Sequence, residues 1–140
     1  NGNAYGTTKK SVEEARARGK NVILDVDTIG AMKIRALCPD ATLIYILPPS
    51  WDELKSRLSS TGIYTEEEVN ALMEIAEEEI SCANSYDYIL VNDTISNTLS
   101  RFAQIIHSNR YSRNCMKEFL DSYIDGEVKP HVQSYKEALL

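Results

Sequence analysis

Apolar residues along this chain fall into two patterns, short continuous runs and longer stretches with helical spacing. The continuous runs are residues 22–26 (VILDV), 42–47 (TLIYIL) and 86–92 (YDYILVN). Such runs are typical of strands that a parallel sheet buries on both faces. The stretches with helical spacing are 8–18, 30–37, 50–60, 65–80 and 95–106. Their alternation with the strands predicts an α/β domain built on a parallel sheet with right-handed crossovers.

Polar residues and a glycine mark the ends of the predicted helices. Ser50 with Glu53, and Thr65 with Glu68, match the capping-box pattern, in which a hydroxyl and a carboxylate satisfy free backbone amides. Gly19 supplies the expected stop for the first helix. We therefore expect helices to begin close to residues 50 and 65.

The composition is that of one folded domain rather than of a disordered chain. Of the 140 residues, 43% are hydrophobic and 26% are charged, and the formal net charge is −6. This charge argues against nucleic acid as a partner, because binding a polyanion depends on clustered cations. We expect no membrane insertion, since no apolar run approaches the roughly 20 residues that a spanning helix needs. The first residue is Asn rather than Met, so we expect a piece of a longer protein.

Cysteine and histidine usage narrows the chemistry further. Three cysteines without a CxxC pair favour a reducing cytosol over a disulfide framework. His107 and His131 are the two histidines, which is little material for a zinc site or a histidine-based triad. We predict no metal site made by protein side chains alone.

Asp25 and Asp27 come at the end of the first predicted strand. Ligands of open α/β sheets bind beyond the carboxyl ends of the strands, and residues two apart on a strand point to the same face. The two carboxylates can therefore converge on a polar ligand or on a hydrated Mg²⁺. The alternative is that they accept hydrogen bonds from the amides of the following loop, and the pattern alone leaves both readings open.

Four motifs in order give this chain a family resemblance. They are GNAYGT at 2–7, ILDVDTIGA at 23–31, PPSWDELKSRL at 48–58 and YDYILVND at 86–93. Together they resemble the second half of a guanylate kinase, with a guanylate kinase-like domain over 1–109 and a helical extension over 110–140. The resemblance implies a three-layer P-loop NTPase-like α/β fold, with a parallel sheet that is incomplete in this chain and small GMP-binding and lid elements. It also implies transfer of the γ-phosphoryl group of ATP to GMP, with Mg²⁺ between the two nucleotides.

The resemblance implies a GMP site made largely by the first 27 residues. Tyr5, within the turn that includes Gly6, matches a tyrosine that reaches the GMP phosphate, and its alternative role is packing. Thr7 matches a residue that hydrogen-bonds guanine, although a helix N-cap would use the same hydroxyl. Asp27 matches an acidic GMP contact, and Asp25 matches a catalytic carboxylate near the metal and the phosphates.

The resemblance also implies an ATP side and a catalytic lid. Arg57 matches a lid arginine that contacts the bound phosphates. Asn92 and Asp93 match a segment near the ATP base and ribose, but Asn-Asp after a strand is also ordinary turn chemistry.

Several positions depart from the family pattern. A Walker A loop, GxxxxGK[ST], does not occur in the printed residues, and the family places it upstream of the GNAYGT motif. Without that loop's strand we expect this chain not to fold alone. In the lid, Thr61 and Leu72 occupy positions where the family has arginines, and Ile29 replaces a glutamine.

These departures lead to two hypotheses. The first is a catalytically impaired domain that binds nucleotide or protein within a larger protein and needs no cofactor. The alternative is an active guanylate kinase that uses ATP and Mg²⁺ and whose P-loop half lies upstream.

We expect a protein partner that docks on the guanylate kinase-like domain or on the C-terminal helix. The C-terminal extension carries a stripe at intervals of four on a predicted helix ending near residues 125–126. Its members are Tyr111, Cys115, Phe119 and Tyr123. Packing of this stripe onto its own domain is the favoured interpretation.

Overall fold

The computed structural model describes residues 8–126, and these form an α/β arrangement of helices around a small parallel sheet. In chain order the elements are α1 Lys9–Ala17, α2 Thr28–Leu37, β1 Ile44–Leu47, α3 Trp51–Ser60, α4 Glu66–Ile80, a 3₁₀ helix Ser81–Ser85, β2 Tyr88–Val91, α5 Ile95–Asn109 and α6 Lys117–Ile124. The α/β class expected from the alternation of patterns is confirmed.

The two described strands pair in parallel along their whole length. The register runs from Ile44 opposite Tyr88 to Leu47 opposite Val91. Helices α3 and α4 connect the strands, as a parallel connection requires. Beyond the last pair, the Asn92 amide donates to the Leu47 carbonyl at 2.7 Å, which extends the pairing to the carboxyl edge of the sheet.

The prediction of a strand over residues 22–26 is wrong for the described structure. Residues 20–27 lie outside any helix or strand, and the side chains of Val22, Ile23 and Val26 are 36%, 66% and 46% exposed. A strand exists only beside a hydrogen-bonded neighbour, and β1 and β2 pair with each other. The segment therefore has the composition of a buried strand, but no strand within residues 8–126 pairs with it.

Local capping chemistry sets the helix ends, as predicted. Thr65 and Glu68 form the complete capping box at the start of α4, and the Ser50 hydroxyl accepts from the Glu53 amide at the start of α3. Gly19, which follows α1, has φ of +71°, a left-handed conformation that glycine adopts without strain.

The core within residues 8–126 is small. Its buried hydrophobic side chains are Ala31, Leu43, Val69, Ala83 and Leu90. Strand residues that a complete sheet would cover remain open, with Ile46 55% and Ile89 54% exposed. The described residues therefore bury less apolar surface than a domain of this size normally does. Because burial of apolar surface is the main favourable term in folding, this small core contributes little stability by itself.

The C-terminal stripe is not one continuous helix. Helix α6 begins only at Lys117, and the chain before it forms turns in which the Ser112 hydroxyl accepts from the Cys115 amide. Such local side-chain bonds compete with helix formation. Phe119 and Tyr123 do share a helix face, with their rings in edge contact at 5.2 Å. No helix within residues 8–126 combines the length and apolarity needed to cross a bilayer.

An arginine clamp joins α2 to the amino ends of both strands. Arg35 Nη1 donates to the carbonyls of Pro39 and Ala41, and its Nη2 donates to Asp87 Oδ2 at 2.6 Å. The same Asp87 oxygen accepts from the Leu43 amide at 2.7 Å. Asp87 thus ties the start of β2 to two segments that lie 44 and 52 residues earlier in the sequence.

We expect Asp87→Ala to lower the free energy of unfolding by about 1–2 kcal/mol, because it removes two charge-assisted hydrogen bonds at a half-exposed site. The matched control is Glu14→Ala on α1, where the pair with Lys10 is long, at 3.9 Å, and exposed. Urea denaturation of the complete protein measures both changes. Equal effects of the two substitutions would contradict the clamp.

Candidate functional site

The candidate site lies at the carboxyl edge of the sheet, where α3 and α5 begin. Helix α3 follows β1 and helix α5 follows β2, so parallel pairing of the strands brings both connecting segments to one edge. Thr94 ends the second segment as the N-cap of α5, and its hydroxyl accepts from the Asn97 amide at 3.2 Å. We call residues 92–94 the β2–α5 loop.

Arg57, on the second turn of α3, contacts this loop. Its Nε donates to Glu53 Oε1 at 2.7 Å, and its Nη2 donates to the Asp93 carbonyl at 3.3 Å. The side chain is 38% exposed, so part of the guanidinium remains accessible. The structure therefore brings together Arg57 and Asp93, two residues that the sequence placed on the phosphate and ATP sides of one site.

Both carboxylate oxygens of Asp93 accept hydrogen bonds from neighbouring residues. Oδ1 accepts from the Thr94 amide at 2.6 Å, and Oδ2 accepts from Arg101 Nη2 at 3.0 Å and Asn97 Nδ2 at 3.3 Å. The backbone hydrogen bond from Thr94, followed by those from Arg101 and Asn97, holds the pKa of Asp93 below its ordinary value. This is the turn chemistry that the sequence offered as the alternative, and contact with ATP remains a prediction.

Asn92 is tied to both flanking elements. Its side-chain oxygen accepts from the Thr98 hydroxyl at 3.1 Å, while its amide bonds the Leu47 carbonyl on β1. The residue therefore fixes where β2 ends relative to α5.

Asp27 is the N-cap of α2. Its Oδ1 accepts from the Gly30 amide at 2.6 Å, which is the structural role left open for this carboxylate by the sequence. Asp25 is exposed in the segment before α2 that belongs to no helix or strand.

The donor types near α2 fit a magnesium ion. No group of three or more metal-ligating side chains occurs among the residues that the structure describes. That is compatible with Mg²⁺, which typically binds one or two carboxylates together with waters and substrate phosphates. Asp25 would hold the ion, since its carboxylate is exposed, whereas one oxygen of Asp27 is already used to cap a helix.

A contact missed by the sequence analysis joins the Asp27 region to α4. The Thr28 hydroxyl donates to Glu79 Oε1 at 3.1 Å across 51 residues. Beside it, Tyr86 packs edge-on against Tyr45 at 4.9 Å, and its pKa is raised first by burial and then by neighbours that include Glu79 and Asp27. Within the acidic run 77–79, no sequence signal separated Glu79 from two solvated glutamates.

Thr61 and Leu72, the two lid positions at which the sequence analysis expected arginines, carry no positive charge. The Thr61 hydroxyl donates to the Leu58 carbonyl at 2.8 Å and accepts from the Ile63 amide at 3.2 Å, so it serves the turn after α3. Leu72 is half-buried on α4. The predicted GMP residues Tyr5, Gly6 and Thr7 lie outside the described residues.

The chain belongs to the guanylate kinase family, because the family model described as "Guanylate kinase" matches residues 1–109. Similar proteins include guanylate kinases of Clostridium acetobutylicum, 39% identical over 96% of this chain and 63% of the relative, and of Francisella tularensis, 44% identical over 76% and 57%. The crystal structure of guanylate kinase from Anaplasma phagocytophilum matches with a TM-score of 0.61 at 28% identity, over 74% of this chain and 49% of that one. The chain therefore spans roughly half to two thirds of the length of these relatives, and the fold assignment is confirmed.

The hydrogen bonds to the Asp93 carboxylate predict how the stability of the fold changes in acid. Because its folded-state pKa lies below the ordinary 3.8, its ionised form stabilises the fold above pH 3.8, and this contribution is lost as pH falls through the lowered pKa. We expect the melting temperature of the parent to exceed that of Asp93→Asn at neutral pH and the difference to close in stronger acid. Asp40→Asn, at an exposed turn aspartate, is the control. A difference that persists at pH values below the folded pKa would contradict the assignment.

Proposed function

We propose that this chain is part of a guanylate kinase that transfers the γ-phosphoryl group of ATP to GMP. The observation that carries the proposal is Arg57, held against the β2–α5 loop at the carboxyl edge of the sheet in a chain of this family. The relatives named above, at 39% and 44% identity, both carry the printed name guanylate kinase. The scaffold and impaired-kinase reading predicted from the lid finds no support in these comparisons.

Arg57 suits phosphoryl transfer because that reaction depends on positioning and on positive charge around the transferred group. Two of its nitrogens are anchored, Nε by a carboxylate of its own helix and Nη2 by a backbone carbonyl of the loop. A guanidinium held in this way presents its remaining N–H groups in a fixed orientation. Asp25 would hold part of the coordination of a bound Mg²⁺, which would supply further positive charge to the phosphates.

Asp27 combines two roles in this proposal. Its carboxylate caps α2, and it contacts GMP together with Tyr5, Gly6 and Thr7. Capping requires only an oxygen acceptor, whereas recognition of a guanine base by an acidic side chain requires the carboxylate. The two roles can therefore be separated by substitution.

We expect Asp27→Ala to lose both helix capping, worth about 0.5–2 kcal/mol of stability, and GMP affinity. Asp27→Ser should keep the cap, because serine is a good N-cap residue, but should lose GMP affinity to the same extent. Thermal melts and calorimetric titration of the complete protein with GMP measure the two effects. Unchanged GMP binding in both variants would show that Asp27 is only a cap.

A second candidate function, a domain that binds nucleotide but turns over slowly, is favoured by Thr61 and Leu72. Both positions carry uncharged side chains: in the described structure Thr61 bonds within the turn after α3, and Leu72 is half-buried on α4. Loss of an arginine that acts on a transferring phosphoryl group can cost on the order of 10³ in rate. This observation predicts reduced turnover, not a different reaction.

A coupled assay for ADP formation by the complete protein tests the proposed reaction. We expect turnover that requires ATP and GMP together, and a rise of about tenfold or more in Thr61→Arg/Leu72→Arg, equivalent to about 1.4 kcal/mol off the barrier. The control is Lys10→Arg, which adds no charge and lies on the exposed face of α1. No turnover by either the parent or the double variant, in a protein that still binds both nucleotides, would contradict the proposed reaction, whereas slow turnover of the parent that rises in the double variant would favour the second candidate.

A further inference from the structure

Arg101, on the second turn of α5, bridges the two ends of a short backbone segment. Its Nη1 donates to the Val91 carbonyl at 3.2 Å, and its Nη2 donates to Asp93 Oδ2 at 3.0 Å. One planar guanidinium thus holds both the last residue of β2 and the second residue after it. A rigid fork with two acceptors fixes orientation in a way that a single flexible contact does not.

The held segment is the one that contacts Arg57. The Asp93 carbonyl accepts from Arg57 Nη2, while the Asp93 carboxylate accepts from Arg101. A continuous path of hydrogen bonds therefore runs from α5, through one loop residue, to the guanidinium on α3.

Among the described residues, Arg57 has two hydrogen-bond partners, Glu53 on its own helix and the Asp93 carbonyl on the β2–α5 loop, and they restrain it in different ways. Glu53 lies one turn earlier on the same helix, so it orients Arg57 only relative to α3. Within the part of the chain that the structure describes, the Asp93 carbonyl is the hydrogen-bond partner that connects Arg57 to another element. The direction of the guanidinium relative to the sheet thus depends on where this loop lies.

None of these three side chains is deeply buried. The exposed fractions are 38% for Arg57, 31% for Asp93 and 45% for Arg101. Exposed ion pairs contribute little to global stability, typically below about 1 kcal/mol. The hydrogen bonds of Arg101 therefore add little to global stability. They can still orient the β2–α5 loop, because orientation depends on the bond geometry and not on a large stabilising energy.

We propose that Arg101 is a positioning residue, which fixes the β2–α5 loop and, through the Asp93 carbonyl, directs Arg57 toward the triphosphate of bound ATP. The destination of Arg57 rests on the function proposed above. The mechanical part of the proposal is that Arg101 restrains Arg57 through Asp93, and it does not depend on whether the protein is an enzyme. The two parts are tested separately.

The first experiment measures the mechanical part without nucleotide. The ¹⁵N relaxation of the Arg57 Nε–Hε group in the complete protein, assigned by its loss in Arg57→Ala, reports the mobility of the guanidinium. We expect greater mobility in Arg101→Gln, an intermediate value in Arg101→Lys, and no change in the control Arg18→Gln on α1. Unchanged Arg57 relaxation in Arg101→Gln would overturn the proposal.

The second experiment is a double-mutant cycle on binding of the non-hydrolysable ATP analogue AMP-PNP with Mg²⁺, measured by calorimetry. We expect Arg101→Gln to weaken binding about fivefold in the parent and to have no further effect in the Arg57→Ala background. GMP affinity should stay unchanged. Equal weakening in both backgrounds would mean that Arg101 acts on the fold and not through Arg57, which would overturn the proposal.

The outcomes also separate this proposal from the proposed function. If the parent protein does not bind AMP-PNP while Arg57 mobility still responds to Arg101→Gln, the positioning role stands and the ATP-directed function fails. If the parent binds AMP-PNP but Arg101→Gln alters neither mobility nor affinity, the function stands and the positioning role fails.

Discussion

The hydrogen bond from the Asn92 amide to the Leu47 carbonyl, 2.7 Å long, is the constraint on which the candidate site depends. It continues the parallel pairing of β1 and β2 to the carboxyl edge of the sheet and fixes where both strands end. The helix after each strand must then begin at the same edge. The contact between Arg57 on α3 and the carbonyl of Asp93 follows from that common edge. A shift in the strand register would move the two residues apart.

Features that depend on local chemistry could be predicted from the sequence. The capping box of Thr65 and Glu68 specifies the start of α4 because both partners lie within four residues of each other. The two strands of the described sheet were also recognisable from their continuous apolar runs. The positions of Arg57, Asn92 and Asp93 near one site came from the family motifs and not from periodicity.

Features that depend on distant partners could not be predicted. The segment over 22–26 has strand composition, yet pairing is a property of two segments, and within the described residues no strand pairs with it. The bonds of Arg101 to Val91 and Asp93 likewise depend on how α5 lies along β2. In sequence, Arg101 is simply a polar residue on an amphipathic helix. The helix predicted through the stripe from Tyr111 to Tyr123 was wrong in its first part for the opposite reason, because a local turn at Ser112 interrupts it, whereas its end near residues 125–126 agrees with α6.

The chain is acidic, which bears on how the candidate site would hold phosphate. The chain carries a net charge of −6, and two lid positions have threonine and leucine where positive charge is expected. The proposed function assigns phosphate contact within residues 8–126 to Arg57, whose guanidinium bonds Glu53 and the β2–α5 loop. A site with few cations can stabilise a transferring phosphoryl group only if each cation is held in the correct position. Few cations at the candidate site are thus combined with an arginine that two hydrogen bonds hold in place.

The most direct measurement is a ³¹P NMR time course of ATP and GMP with Mg²⁺ and the complete protein. The account predicts that GDP and ADP appear in equal amounts and that neither forms when GMP is omitted. ATP loss without GDP, or unchanged spectra with a protein shown to bind both nucleotides, would contradict the claim that this chain belongs to a working guanylate kinase.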